Sequence, residues 1–183
     1  MASPIDSQHE PHGARAIAQH YLGDLVYGAN DGIITTFAVV AGVAGASLSE
    51  RTVLAVGVAN LLADGLSMAV GNYHSIRSSE SVRRARGLPV REPYPVRHGG
   101  ATFAAFVAAG LVPLLPYVLH TPPEWRFTSA LIATMTTLFV VGSMRAAVTA
   151  DRWWRSGFEM LALGAVVAFV AYFAGNFVAR LTG

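Results

Sequence analysis

Residues 59–73 read ANLLADGLSMAVGNY. Positions four apart share one face of an α-helix, so this stretch predicts one polar line on an otherwise apolar helix. The members of this line, which we call the polar seam, are Asn60, Asp64, Met68 and Asn72. The seam lies within a long apolar run that is typical of a helix crossing a membrane. An ionisable side chain at the centre of a bilayer costs about 2.5–3.5 kcal/mol, and it usually marks an ion path or a wet cavity.

The composition of the whole chain is that of an integral membrane protein. Of its 183 residues, 53% are apolar and 13% are charged, and the mean hydropathy is +0.45. An ordinary soluble domain has about 25% charged residues. The chain contains no cysteine, which excludes disulfides and thiolate metal sites. It has no basic stripe interleaved with aromatic residues, so we expect no nucleic-acid partner.

The first 25 residues are predicted to lie outside the membrane-spanning region. Residues 1 to about 13 are polar and lack the pattern of a secretory signal, so we expect a flexible cytoplasmic tail. Residues 14–25 place apolar side chains at helical spacing among polar ones. This pattern favours a short amphipathic helix lying on the membrane surface.

Residues 26–183 contain five apolar segments, which predict an all-α protein with five transmembrane helices. The predicted spans are about 26–47, 52–73, 99–119, 127–148 and 158–178. Each has about the 20 residues that cross a hydrocarbon core of about 30 Å. We expect the third span to bend at Pro113 and Pro116. The second span should continue as a helix into the polar connection that follows it and end before the prolines there.

The arginines predict the orientation of these spans. All 13 basic residues are arginine, and ten of them fall on one side of the five-span arrangement. The positive-inside rule places that side in the cytoplasm, with the N-terminus inside and the C-terminus outside. We therefore expect a multi-pass protein of the cell (inner) membrane.

Two carboxylates fall well inside the predicted spans, Asp31 in the first and Asp64 in the second, whereas Glu159 is a boundary residue of the fifth. A short turn joins the first two spans, so they are antiparallel neighbours and could bring both acids into one cavity. Hard oxygen ligands together with the soft thioether of Met68 suit ferrous or manganous ion better than calcium or magnesium. Metal entry would favour the charged carboxylates and expel protons, which is the basis of metal/proton exchange. The expected metal-binding set is Asp31, Asp64, Met68, Asn60, Asn72 and Thr35.

Each of these residues also has a purely structural interpretation. Methionine fills irregular gaps between helices, and asparagine often joins helices by hydrogen bonds. Asp31, which follows Asn30, could cap a helix start at the interface. Gly28 and Gly32 are four residues apart, which indicates the close approach of another helix.

The histidines do not suggest a site in the sequence. His9, His12 and His20 are too scattered to form a metal cluster, and His74 and His98 fall at the ends of predicted spans.

Two stretches closely resemble the vacuolar iron transporter family: DGIITTFAVVAGV at 31–43 and NLLADGLSMAVGNY at 60–73. The resemblance extends through the five-span layout beyond about residue 20. It implies a homodimer whose path lies between the subunits, and proton-coupled export of ferrous iron or a similar divalent ion. Asp31 matches the family's transport aspartate and Met68 its pathway methionine, whereas Asp64 belongs to the motif of bacterial-type sequences.

The connection between the second and third spans departs from the plant-type pattern. Plant-type members carry there a cytoplasmic helical domain, rich in Glu and Met, that gathers metal. Here the connection has about 24 residues, is dominated by arginine, and has Glu80 and Glu92 as its acids. We therefore expect the metal-collecting domain to be absent or vestigial.

The predicted function is that of a membrane transporter that exports ferrous iron or manganese from the cytoplasm in exchange for protons. We expect no enzyme activity and no cofactor apart from the transported ion and protons. The expected partners are the divalent ion, membrane lipid and a second copy of the chain. Two alternatives remain at this point: an uncoupled divalent cation channel, and a non-transporting structural or regulatory dimer held together by the seam.

Overall fold

The structure, a computed structural model, describes residues 14–146 and 152–182. The predicted tail at residues 1–13 lies outside this range. Within it the chain forms helices and the turns that join them. The helices are α1 (Ala14–Gly45), α2 (Glu50–Ala85), α3 (Pro95–Gly110), α4 (Leu115–Val118), α5 (Pro123–Arg145) and α6 (Trp153–Thr182). Five helical segments are long and apolar enough to cross a membrane, with α3 and α4 together forming the third. This confirms the all-α, five-span prediction.

Helix α1 differs from the predicted division at residue 25. The sequence predicts a surface helix at 14–25 and a separate first span, but the structure has one continuous helix through both. The reason is that polar side chains of this segment pair with other helices. Asp24, for example, accepts a hydrogen bond from Asn72 of α2 and faces His98 of α3.

Helix α2 continues well beyond the predicted span and ends at Ala85. Gly87 follows shortly after its end, ahead of the prolines. Gly87 has a φ of +69°, which a glycine adopts without strain. The N–H groups of Gly87 and Leu88 donate to the carbonyls of Arg84 and Arg83, both at 3.0 Å, and complete a Schellman motif. The predicted helical extension is therefore confirmed.

The third span bends where the sequence predicts it. Helix α3 ends at Gly110, residues Val112–Leu114 form one 3-10 turn, and the short α4 completes the crossing. Pro113 and Pro116 lack the N–H that a continuous α-helix needs at these positions, which explains the interruption. Both prolines are buried against the rest of the bundle.

Helix α1 lies at the centre of the bundle. It packs most extensively against α3 and α6, and it also contacts α5 and α2. Its residues Phe37, Val40, Ala41 and Val43 contribute half of the main buried cluster. The other members of that cluster are Val53, Leu114, Tyr117 and Ala130. By contrast, α6 presents most of its apolar side chains to the outside, as a helix that faces lipid does.

The contact between α1 and α3 is a backbone contact. A Cβ atom added at Gly28 would run into the carbonyl of Thr102, and one added at Gly32 would run into the carbonyl of Phe106. Small residues spaced four apart allow such an approach of two helices. The close packing predicted for Gly28 and Gly32 is confirmed, and its partner is α3.

The end of the bundle where α1 meets α2 is held by polar contacts. Ser49 caps α2, with its hydroxyl accepting from the backbone N–H of Thr52 at 3.4 Å. The guanidinium of Arg126, in the first turns of α5, forms an ion pair with Glu50 and donates to the carbonyl of Thr121. These contacts tie the starts of α2 and α5 together.

We expect Gly32→Ala to lower the thermal unfolding temperature in detergent by several degrees. The added methyl group overpacks a backbone contact, which costs about 1–3 kcal/mol and outweighs the helix-propensity gain of about 1 kcal/mol. Gly100→Ala on α3 is the matched control, because nothing lies near its added methyl group. Equal unfolding temperatures for the two variants would contradict the backbone contact.

Candidate functional site

The polar seam lies on α2 as the sequence predicts. Its four residues are all half-buried, and they run alongside the buried stripe of the helix. That stripe consists of Val53, Gly57, Leu61 and Gly65. The opposite side of α2 is apolar and exposed, with Val58, Leu62, Leu66 and Val70 all more than two-fifths exposed. The seam is therefore at the border between the packed bundle and the outer surface of this single chain.

Asp31 of α1 and Asp64 of α2 are both half-buried on helices that pack against each other. The two carboxylates are close enough for the charge of Asp64 to act on Asp31. Within residues 14–146 and 152–182, neither carboxylate is joined to another side chain by a hydrogen bond or ion pair. Two acids on neighbouring helices, with no ion pair to either among the described residues, are an arrangement that favours a bound cation.

Thr35 lies one turn from Asp31 on α1, and Asn60 and Met68 each lie one turn from Asp64 on α2. The hydroxyl of Thr35 donates to the carbonyl of Asp31, four residues earlier in the same helix, at 2.8 Å. The side chains of Asn60 and Met68 are half-buried one turn to either side of Asp64. Asp31, Asp64 and Met68 are thus all half-buried on two helices that pack against each other.

Asn72 differs from the other seam residues in the described part of the chain because its side chain is hydrogen-bonded to other helices. Its amide nitrogen donates to Asp24 Oδ1 at 2.7 Å and to Thr102 Oγ1 at 2.8 Å. These bonds connect α2 to α1 and to α3. They correspond to the structural interpretation of this residue, in which asparagine joins helices.

The Asn72 contacts continue into a group of residues that sequence reasoning missed. His98 is buried, with Nδ1 lying 2.6 Å from Asp24 Oδ2 and Nε2 lying 3.1 Å from Glu92 Oε2. The same Glu92 oxygen lies 3.3 Å from His20 Nε2. We call His20, Glu92 and His98 the histidine cluster. One ligand atom from each of the three falls within 4.8 Å of the other two.

The sequence carries no spacing signal for the histidine cluster, because its members come from three separate elements. His20 lies on α1, Glu92 in the connection after α2, and His98 on α3. Counted along the chain, His20 looks isolated and His98 looks like a boundary residue. His20 and His98 meet because α1 extends as one helix on the N-terminal side of residue 26.

The fold and these sites define a multi-pass helical membrane protein with ionisable groups inside its bundle. A family model described as the VIT family matches residues 22–87 and 81–176 of the chain. These matches cover most of the sequence, and the chain belongs to this family.

Curated relatives agree with this assignment. The chain is similar to the vacuolar iron transporter of Toxoplasma gondii, with 26% identity over 89% of this chain and 76% of the relative. It is similar to vacuolar iron transporter 1 of Arabidopsis thaliana, with 24% identity over 85% of each protein. It is also similar to vacuolar iron transporter homolog 3 of Oryza sativa subsp. japonica, with 30% identity over 82% of this chain and 68% of the relative. The relatives are named as transporters, and none of the names indicates an enzyme.

The two parts of the family match meet at residues 81–87, where α2 ends. The alignments to the first two relatives run over 229 and 212 residues, more than the 183 residues of this chain. These relatives therefore contain residues that this chain lacks. The division of the family match falls at the start of the short connection between α2 and α3.

We expect Asn72→Leu to lower the unfolding temperature much more than Asn60→Leu does. The Asn72 change removes two hydrogen bonds and leaves buried polar partners unsatisfied, at a cost of about 1–3 kcal/mol for each unsatisfied group. The Asn60 side chain has no hydrogen bond to the part of the chain that the structure describes. Unfolding temperatures measured in the same detergent test this, and a larger loss for Asn60→Leu would contradict the assignment of Asn72.

Proposed function

We propose that this protein is a transporter that exports a divalent transition metal ion, Fe²⁺ or Mn²⁺, from the cytoplasm in exchange for protons. The observation that supports the proposal is that two carboxylates, Asp31 on α1 and Asp64 on α2, are half-buried on neighbouring helices inside candidate membrane spans. Membership in a family whose named relatives are iron transporters supports the same cargo. An all-helical body with five candidate spans supports a path across a membrane.

In this proposal Asp31, Asp64 and Met68 bind the ion. Two carboxylates and a thioether combine hard and soft ligands, which suits a first-row transition ion and disfavours calcium and magnesium. Asn60 and Thr35 supply further oxygens near the ion. Asn72, whose amide is engaged with α1 and α3, holds the helices at one end of the seam instead of binding metal.

Proton exchange follows from the chemistry of the same two acids. A bound dication offsets the charges of both carboxylates. When the ion leaves, protons can take its place, so the binding of metal and the binding of protons compete. The same groups would therefore carry ions in one direction and protons in the other.

A homodimer would complete the site, because the seam borders the outer surface of a single chain. Ala63 and Ser67 lie next to Asp64 on the exposed side of α2. A second copy packed here would enclose the ion path between two seams. We place the arginine-rich end of the bundle in the cytoplasm on the basis of the positive-inside rule.

Transport is tested with purified protein in proteoliposomes, by measuring Fe²⁺ and Mn²⁺ uptake with and without an imposed proton gradient. We expect Asp31→Asn and Asp64→Asn to reduce gradient-driven uptake at least tenfold, since each removes one charge that holds the dication. Met68→Leu should shift the preference between the two ions, because it removes the soft ligand.

The matched control is Glu124→Gln, which makes the same chemical change at an exposed acid in the first turn of α5. It should transport like the wild type. Flux that ignores the proton gradient would indicate a channel. If folded protein transports neither ion, the transport proposal is rejected and the polar seam has only a structural role.

The dimer is tested by cysteine cross-linking. The chain has no cysteine of its own, so any disulfide must involve the introduced residue. We expect Ala63→Cys or Ser67→Cys to form disulfide-linked dimers in membranes, since both positions lie beside the proposed path. Ala174→Cys on the exposed face of α6 is the control and should stay monomeric on gels. Cross-linking through Ala174→Cys alone would place the interface elsewhere.

A further inference from the structure

We propose that the histidine cluster is a second metal site, separate from the polar seam, that binds a divalent first-row transition ion such as Fe²⁺. The site would load ions into the transport path between α1 and α2, and this role rests on the proposed function. Its ability to bind metal does not depend on that function. It stands at the arginine-rich end of the bundle, where α1, α3 and the connection after α2 meet.

The donor set fits such an ion. Two imidazoles and one carboxylate, leaving coordination positions open, form the facial arrangement used by non-haem Fe(II) centres and, in related form, by zinc sites. Ligands around a tetrahedral ion at about 2.1 Å lie about 3.4 Å apart. Glu92 Oε2 is 3.3 Å from His20 Nε2 and 3.1 Å from His98 Nε2. A bound ion would replace these direct contacts between the carboxylate and the two rings.

His98 is already oriented as a metal ligand. Its Nδ1 faces Asp24 Oδ2 at 2.6 Å, which leaves Nε2 pointing toward Glu92 and His20. A carboxylate behind a ligating histidine fixes the ring and raises its basicity, and such partners recur at metal sites. Asp24 is held in turn by Asn72, so the ligand is supported from α1 and α2 together.

Glu92 is held in place by the C-terminal extension of α2. Glu80, which lies in the polar C-terminal extension of α2, is buried, and its carboxylate accepts from the backbone N–H groups of Arg91 and Glu92 at 3.0–3.2 Å. Arg83 donates twice to the carbonyl of Pro89, at 3.1 and 2.9 Å. The segment that carries Glu92 is thus fixed before any ion arrives.

The cluster can be reached from solution. His98 lies deep in the bundle, whereas the side chains of His20 and Glu92 are 28% and 22% exposed. Glu92 Oε1 is 3.9 Å from Arg91 Nε, so this cation contacts the other oxygen of the carboxylate, not the one that faces the histidines. Tyr21 packs against both imidazole rings and limits their movement. An ion could enter past His20 and reach His98.

The test is a Co²⁺ titration of tag-free protein in detergent, followed by visible d–d absorption and by calorimetry. All measurements use the double variant Asp31→Asn/Asp64→Asn as the parent protein, called the background protein, so that the polar seam does not contribute to Co²⁺ binding. We expect one Co²⁺ per chain, and at least tenfold weaker binding for His20→Ala and Glu92→Gln. Asp24→Asn keeps the three ligands and should weaken binding about 10–100-fold. His20→Glu, which restores a ligand, should recover part of the loss.

His74→Ala and Glu124→Gln are matched controls at exposed positions outside the cluster, and they should leave the titration unchanged. Unfolding temperatures show which variants remain folded. The proposal is overturned if the background protein has no saturable Co²⁺ binding. It is also overturned if folded His20→Ala/Glu92→Gln binds Co²⁺ like its parent, which would make the cluster only a joint between helices.

This result is independent of the flux measurement. Gradient-driven transport without Co²⁺ binding at the cluster would reject the second site and keep the transporter. Saturable binding that depends on His20 and Glu92, without any flux, would keep the metal site and reject transport.

Discussion

The backbone contact between α1 and α3 determines where the other helices can lie. At Gly28 and Gly32 the two helices meet without side chains between them, so α1 is drawn into the centre of the bundle. With α1 central, α2 on one side and α5 and α6 on the others all pack against the same helix. Asp31 follows Asn30 on this helix, and it reaches the border with α2 because α1 is held there. The candidate ion site is therefore a consequence of a contact made by two glycines.

The polar residues of the bundle divide into two groups with different chemistry. Asp24, Asn72, Thr102 and His98 satisfy one another through short hydrogen bonds, as buried polar groups must. Asp31 and Asp64 have no such partners among the described residues. The bonds among Asp24, Asn72, Thr102 and Nδ1 of His98 stabilise one arrangement of helices, whereas two acids without such partners leave room for an ion. This contrast supports placing transport at the seam and helix joining at Asn72.

The sequence predicts much of the fold, because length, apolar runs and prolines act locally. The five spans, the bend near Pro113 and the close packing at Gly32 all follow from short-range patterns. The histidine cluster could not be found in this way. His20 and His98 are 78 positions apart, and their meeting depends on α1 continuing straight through residue 25 and on Glu80 holding the connection. Such long-range pairing of polar groups leaves no periodicity in the sequence.

The Schellman end of α2 has a consequence for the evolution of chain length. Residues 84–90 are exposed, and the chain on either side is fastened by Arg83 and Glu80. Exposed turns with anchored flanks tolerate inserted sequence, since no packing is disturbed. The family match also divides at this point. Sequence inserted at this turn would lengthen the chain at the surface and leave the packing of the membrane-spanning helices unchanged.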